Sequence, residues 1–374
     1  MKNHTATATP ATGASIVVVG LGNVGSQLIE HIGRMSGVAR VVLVDRDVYE
    51  PANLHSQRIS SGDVGKPKAE AQRRILRALN PSLDVCAVVD DVANVPPGEL
   101  RASVIVGCLD SLEARLALND RAWRLGGAPW IDGGVEPEQQ LVRVNGYRPG
   151  PENPCLECAL DETDYSNLAS LHPCQPRGNT PAPTNGSTSI GALAAALLAV
   201  ECEKILAGDF ERSLINRQIV LDVSHHRHYV TSFRRNPRCR FDHAGWQLAP
   251  LRGLAPTDSL ADLLAAARHA AHGSGATNLT IEYHPLVRTL HCPGCGCGVE
   301  RVQLSGRGTL RCPRCHAREL IATGFTTVDP IDASSPACVL RRSLRAVGLR
   351  PGDVVRVCTG KKRENRFVIE NELL

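Results

Sequence analysis

The sequence predicts an α/β fold with a mostly parallel sheet over residues 15–245, followed by a metal-stapled module and a small β-containing tail. Three observations carry that expectation. Short β-branched runs alternate with helical stretches, a glycine-rich turn joins the first run to the first helix, and paired cysteines gather late in the chain.

Residues 1–14 are small and polar and are expected to be disordered. Ile16–Val19 is the first buried-strand run, and Gly20-Leu21-Gly22-Asn23-Val24-Gly25 leads from it into a helical pattern that continues through Ile32. Val41–Val44 is a second such run and ends in Asp45. Helical stretches at Lys68–Leu79 and Leu112–Leu125 alternate with short strands at Val104–Val106 and Trp130–Ile131. A Pro-, Ser- and Thr-rich stretch, Leu171–Ser189, breaks this rhythm before a helix from Ile190 to Leu206. Past Trp246 the texture changes. Residues 246–285 read as a linker with an alanine-rich helix, Ala261–Ala271, and residues 286–325 as a cysteine module. Residues 326–374 form a tail with strand-like segments Val354–Val357 and Phe367–Glu370.

Composition excludes several classes of function. With 42 Lys+Arg against 38 Asp+Glu, the chain of 374 residues is too balanced for a nucleic-acid binder, and 3% aromatics leave little for base stacking. No nucleic-acid partner is expected. The longest apolar stretch, Ile190–Val200, falls short of the ~20 residues that cross a bilayer, so no membrane contact is expected either. The N-terminus has no hydrophobic signal segment, and the expected location is the cytoplasm. Fourteen cysteines, several in C-x-x-C pairs, favour metal over disulfides in that compartment.

Gly20-x-Gly22-x-x-Gly25 sits between a strand and a helix, where a backbone free of side chains approaches phosphate and a helix N-terminus attracts anions. Asp45 follows Gly25 by 20 residues at a strand end, the usual place of a carboxylate on a ribose hydroxyl. The pair indicates an adenine nucleotide or dinucleotide, and NAD or FAD would satisfy it as well as ATP.

Further motifs narrow the choice: Asp45-x-Asp47 with Asn53 eight residues after its first Asp, Val64-Gly65-Lys66-Pro67-Lys68, and Cys108-x-Asp110 with Arg115 five residues on. In combination with the glycine loop, these resemble the ThiF/MoeB/HesA family of ubiquitin-activating-type adenylyltransferases, from about residue 15 to about 243. The resemblance implies a Rossmann-like adenylation domain that uses ATP and Mg²⁺ to form an acyl-adenylate at a protein C-terminus. It places Gly20, Gly22, Gly25, Asp45, Asp47 and Asn53 around the nucleotide, Lys68 on the phosphates and Asp110 on Mg²⁺. The chemistry agrees, because a carboxylate attacking a phosphate needs fixed cations and a metal rather than a general base. Asp110 could instead cap a helix, and Arg115 is expected to be a structural partner. Ser56 stands where the family has an arginine, and Arg58, two positions on, is the candidate replacement.

By the same resemblance, Cys155 and Cys158 match the first pair of a zinc site, which Cys239 and His243 would close. Zinc accepts three sulfurs and one imidazole. Cys292-x-x-Cys295 and Cys312-x-x-Cys315 need no resemblance: 16 residues separate the two knuckles, the spacing of a zinc ribbon, with Cys297 a spare thiol. Cys174 has no partner at ligand spacing and lies near Arg177, whose charge would lower its pKa. Its position resembles that of the reactive cysteine in thioester-forming members, so it is the candidate nucleophile. Cys86, Cys108 and Cys202 read as small core residues.

The expected partner is a ubiquitin-like or sulfur-carrier protein ending in glycine, with a downstream conjugating protein and a second copy of the chain as further partners. Two alternatives stand beside this reading. One is an NAD- or FAD-dependent oxidoreductase on the same glycine loop. The other is a degenerate, non-catalytic activating-type domain that presents a peptide or protein to a partner.

Overall fold

The computed structural model describes residues 13–170, 187–272, 277–307, 310–322, 327–359 and 363–370. The disorder expected at the N-terminus concerns residues that lie, up to residue 12, outside the described ones. The chain divides into two units: residues 1–92 with 100–245, and residues 246–374 with the excursion 93–99.

In the first unit, β1 (Ala14–Val19), α1 (Asn23–Ile32), β2 (Val38–Val44), α2 (Lys68–Leu79) and β3 (Asp84–Val88) alternate. They continue into β4 (Val104–Gly107), α3 (Leu112–Leu125), β5 (Trp130–Glu136) and β6 (Leu141–Tyr147). After α4 (Glu162–Ser170) and α5 (Thr188–Leu206), a hairpin of β7 (Arg217–Asp222) and β8 (Arg227–Ser232) closes the unit. One eight-stranded sheet runs β3-β2-β1-β4-β5-β6-β7-β8. Its first five strands pair parallel and the rest antiparallel, in the α/β arrangement expected.

The central stretches of the parallel strands, Ile16–Val19, Val41–Val44 and Val104–Val106, are apolar and buried, as in a sheet covered by helices. Ile16, Val18, Val41, Leu43, Val104 and Val106 join one core with Leu28 and Ile29 of α1 and Ala194, Ala195 and Leu198 of α5. Each large aliphatic side chain so buried contributes about 1.5–3 kcal/mol. Small residues let α5 lie close: a Cβ on Gly133 of β5 would come within 2.4 Å of the Leu198 side chain. Among the described residues, no helix is long and apolar enough to cross a membrane.

The second unit holds β9 (Leu248–Leu251), α6 (Leu260–Ala270), β10 (Thr277–Ile281), β11 (Leu286–His291), β12 (Gly298–Leu304) and β13 (Ile321–Ala322). It ends with α7 (Ala337–Leu340), α8 (Leu344–Val347), β14 (Val354–Thr359) and β15 (Arg363–Ile369). The strands form a four-stranded sheet, β10-β14-β15-β9, and a three-stranded one, β12-β11-β13. The stretch expected as a linker, 246–285, thus supplies β9, α6 and β10, and β9 and β10 flank the tail hairpin β14–β15. The physical reason is burial: Leu251, Leu263, Ile281, Val355 and Phe367 share one core. Ser259 and Asp262 start α6 with a reciprocal capping box, Asp262 N donating to Ser259 Oγ at 3.2 Å and Ser259 N to Asp262 Oδ2 at 2.8 Å.

Candidate active site and cysteine clusters

In the first unit a cleft of about 750 Å³ opens along the carboxyl ends of the strands. It lies where the strand order reverses about β1, the place at which open α/β sheets bind ligands. The cleft brings together Gly20, Gly22, Asp45, Asp47, Asn53, Lys68 and Asp110.

The glycines divide the work. Gly20 has φ +91°, a left-handed turn, and a Cβ there would stand 2.4 Å from the Cys108 carbonyl oxygen. Gly25 lies behind the cleft, where a Cβ would fall 1.9 Å from the Gly20 oxygen, so it sets the contact between α1 and the loop. Gly22 faces open space on the cleft side and caps α1, whose N-terminus is thereby left bare for an anion.

Asp45 is buried and accepts hydrogen bonds from Leu21 N at 2.6 Å and Asp47 N at 2.8 Å. Burial pushes its carboxyl above the usual range, against the pull of Lys68 and of these two amides. It therefore fixes the loop while keeping lone pairs for hydroxyl donors. Lys68 opens α2 after Pro67, its Nζ 3.4 Å from Asp47 Oδ2 and 5.7 Å from the centre of the Tyr49 ring. Asn53 spends its oxygen on Glu50 N at 2.9 Å, which leaves its amide protons as donors toward the cleft.

Asp110 is exposed on the cleft wall, and the helix-cap alternative goes to its neighbour: Ser111 Oγ accepts from Ala114 N at 3.2 Å. Arg58 is not brought to the cleft. Its amide donates to Ser26 Oγ at 2.9 Å and its guanidinium is ion-paired with Glu30 of α1, so the substitute arginine expected there is turned away. Ser56 itself is buried. Cys174 and Arg177 lie outside the described residues. Cys108 lines the cleft, but burial drives its thiol far up, against a role as nucleophile.

Sequence reasoning missed Tyr49 and the partner of Arg115. Tyr49 is buried, donates from its hydroxyl to the Leu21 carbonyl at 2.9 Å and receives Gln72 Nε2 at 2.8 Å, which braces the glycine loop from below. Arg115 Nε donates to Asp132 Oδ1 at 3.0 Å, and Asp132 is wholly buried. A charged residue directly after the apolar Trp130–Ile131 run was the available signal for Asp132.

Cys155, Cys158, Cys239 and His243 converge. Cys155 Sγ lies 3.9 Å from Cys158 Sγ, 3.8 Å from Cys239 Sγ and 3.3 Å from His243 Nε2. Four ligands around a tetrahedral zinc would stand roughly 3.8 Å apart between sulfurs and roughly 3.6 Å from sulfur to nitrogen, so the set fits that ion. His243 is buried and takes a left-handed φ of 57°, a conformation that costs free energy and aims its ring at the sulfurs. Burial works against the Cys158 thiolate, but the amides of Asn236 and Cys155 outweigh it and hold that thiol below its ordinary range.

Cys292, Cys295, Cys312 and Cys315 form a second such group, with Cys292–Cys315 and Cys295–Cys312 sulfur separations of 3.6 Å. The amides of Cys315 and Arg314 pull the Cys312 thiol down to about 6, as a thiolate ligand requires. Cys297 stands outside the group. His225 sits exposed beside Asp222 in the turn of the β7–β8 hairpin and belongs to neither group.

The family model described as the ThiF family matches residues 11–241. The chain belongs to the ThiF family. It is an enzyme of the E1-like adenylyltransferase class. It is 29% identical over 255 residues to the SAMP-activating enzyme E1 of Haloferax volcanii, covering 66% of this chain and 83% of that one. To the sulfur carrier protein ThiS adenylyltransferase of Bacillus subtilis it is 38% identical over 153 residues, 40% of this chain and only 44% of that relative. The fold matches a crystal structure of E. coli MccB with AMPCPP and MccA at a TM-score of 0.50 and 24% identity, over 61% of this chain and 66% of that one.

Proposed function

We propose that this ThiF-family member adenylates the C-terminal glycine of a ubiquitin-like or sulfur-carrier protein with ATP, releasing pyrophosphate. The observation that carries this reading is the convergence of Lys68, Asn53 and Asp110 on the cleft that the Gly20–Gly22 turn opens. Nicotinamide or flavin chemistry gives Lys68 and Asp110 no task.

The two reactants repel each other, since a carboxylate must reach a phosphate. Lys68 and the bare N-terminus of α1 offset that repulsion, Asn53 donates to phosphate oxygens, and Asp45 holds the ribose hydroxyls. Asp110 would hold Mg²⁺, which supplies further positive charge to the phosphate oxygens. A carboxylate oxygen of the carrier then bonds to the α-phosphorus as the bond to the pyrophosphate leaving group breaks. No proton moves, because the carboxylate is ionised at neutral pH. Transfer onward to Cys174 as a thioester, with AMP leaving, and assembly as a homodimer are finer parts of this proposal that rest on sequence resemblance, whereas hand-over to a conjugating protein rests on the modular, metal-stapled texture of the chain beyond residue 246.

ATP–pyrophosphate exchange tests the reading. Exchange that appears only with a carrier ending in Gly-Gly, and that Asp110→Ala abolishes, is the expected result. Exchange that persists in Asp110→Ala would remove the metal assignment.

A further inference from the structure

The cleft crosses the sheet in strand order, which ranks its lining from one end to the other. Asp91 follows β3, Asp45 follows β2, Gly20 follows β1, Asp110 follows β4, Gly134 lies in β5 and Gln218 in β7. The nucleotide features occupy the half from β3 to β4, so a second substrate has the half built on β5, β6 and β7. At the join stands Arg115, one turn beyond Asp110 on α3.

Arg115 is held there by a chain of polar groups that is buried at its centre, Asp132 and Asn145. Its Nε donates to Asp132 Oδ1 at 3.0 Å, while Asn145 Nδ2 donates to Asp132 Oδ2 at 3.4 Å and Gln218 Nε2 to Asn145 Oδ1 at 2.8 Å. Asp132, Asn145 and Gln218 are direct cross-strand partners on β5, β6 and β7, so the chain is one rung of the sheet. A carboxylate buried in this way stays only if paired, and Arg115 is its cation. Only Nε is spent on that pair. Nη2 lies across Gly134, 3.0 Å from where a Cβ on that glycine would be, and the guanidinium keeps its other donors for the cleft.

We infer that Arg115 receives the terminal carboxylate of the second substrate, presents it to the α-phosphate and keeps hold of its carbonyl oxygen in the acyl-adenylate, and that Asp132 is the positioning residue that locks the guanidinium in that attitude. A planar guanidinium matches a carboxylate with two parallel hydrogen bonds. Gly134, having no side chain, leaves the guanidinium room to lie there. The assignment rests on the adenylation reading and deepens it by giving the acyl half of the site its cation.

The test measures the affinity of the full chain for two ligands: Mg²⁺ with AMPCPP, which occupies the nucleotide half alone, and a glycylglycyl sulfamoyl-adenosine, which mimics the mixed anhydride. Arg115→Gln is expected to weaken the anhydride mimic about 10- to 100-fold, the effect of losing hydrogen bonds to a charged group, and AMPCPP by less than about threefold. Asp132→Asn should weaken the same ligand selectively. The double variant should be no worse than Arg115→Gln alone, because both changes break one device. Arg115→Lys keeps the charge and a partner for Asp132, so it guards against a folding defect; lacking the fork, it should still lose the mimic selectively. Equal affinity of Arg115→Gln and wild type for the mimic overturns the assignment, as does an equal loss of both ligands in Arg115→Lys. A wild-type chain that binds neither ligand overturns the adenylation reading itself, whereas wild-type binding of both with no selective loss in the variants overturns only the role of Arg115.

Discussion

Arginine 58 and lysine 68 show how little a residue type says until its surroundings are known. Both are cations within reach of the glycine loop in sequence, and both were expected on phosphate. Lys68 is largely buried, sits at the start of α2 and faces the cleft. Arg58 is half-exposed and spends its guanidinium on Glu30, an ion pair of the kind worth at most about 1 kcal/mol. Their substitutions should therefore separate. Lys68→Ala is expected to reduce carrier-dependent pyrophosphate exchange by about 100-fold or more, the scale on which fixed transition-state charges act. Arg58→Ala should change the same rate by less than about threefold, and a large loss there would return it to the phosphate site. Sequence spacing gave both residues equal claims because it does not record the direction in which a loop turns.

At the scale of elements, the strand–turn–helix of β1 and α1 carries the sharpest contrast. Gly25 is fixed by the approach of α1 to the Gly20 carbonyl, whereas Gly22 borders open space. Gly25→Ala should destabilise the first unit by several kcal/mol or prevent its folding, since backbone atoms have to shift. Gly22→Ala should keep its thermal midpoint and lose the stabilisation that added ATP gives the wild type, because its Cβ enters the cleft. Thermal denaturation with and without nucleotide distinguishes the two. The helices α2 and α3 were legible to the residue, since Lys68–Leu79 and Leu112–Leu125 are periodic and flanked by a proline and a capping serine. In the first unit, strands β3, β6, β7 and β8 were not read. β8 is exposed along its whole length and β7 is nowhere fully buried, so neither has the apolar alternation that marks a strand with one face inside.

Among its described residues the whole molecule combines a nucleotide-binding sheet, two groups of metal-type ligands and a second unit with its own core. If both groups hold zinc, elemental analysis should find about two ions per chain, and Cys239→Ser and Cys312→Ser should each remove about one. One ion in the wild type would strike out whichever group its own serine variant leaves unaffected. The C-x-x-C pairs were readable because two thiolates of one knuckle lie close in sequence. The closing of the first group by Cys239 and His243, more than 80 residues from Cys155, came only through resemblance. In the second unit, pairing decided what composition did not: residues 246–285 look like a linker until β9 and β10 are seen beside the tail hairpin.

The sequence by itself determined the parallel α/β order, the nucleotide loop and both cysteine knuckles, because each is written in a periodicity or spacing of a few residues. Tertiary structure alone decided which cations face the cleft, that Ser111 rather than Asp110 caps α3, and that Asp132 holds Arg115. Those outcomes depend on groups distant in sequence meeting in space, and only the folding of the sheet brings them within hydrogen-bonding distance.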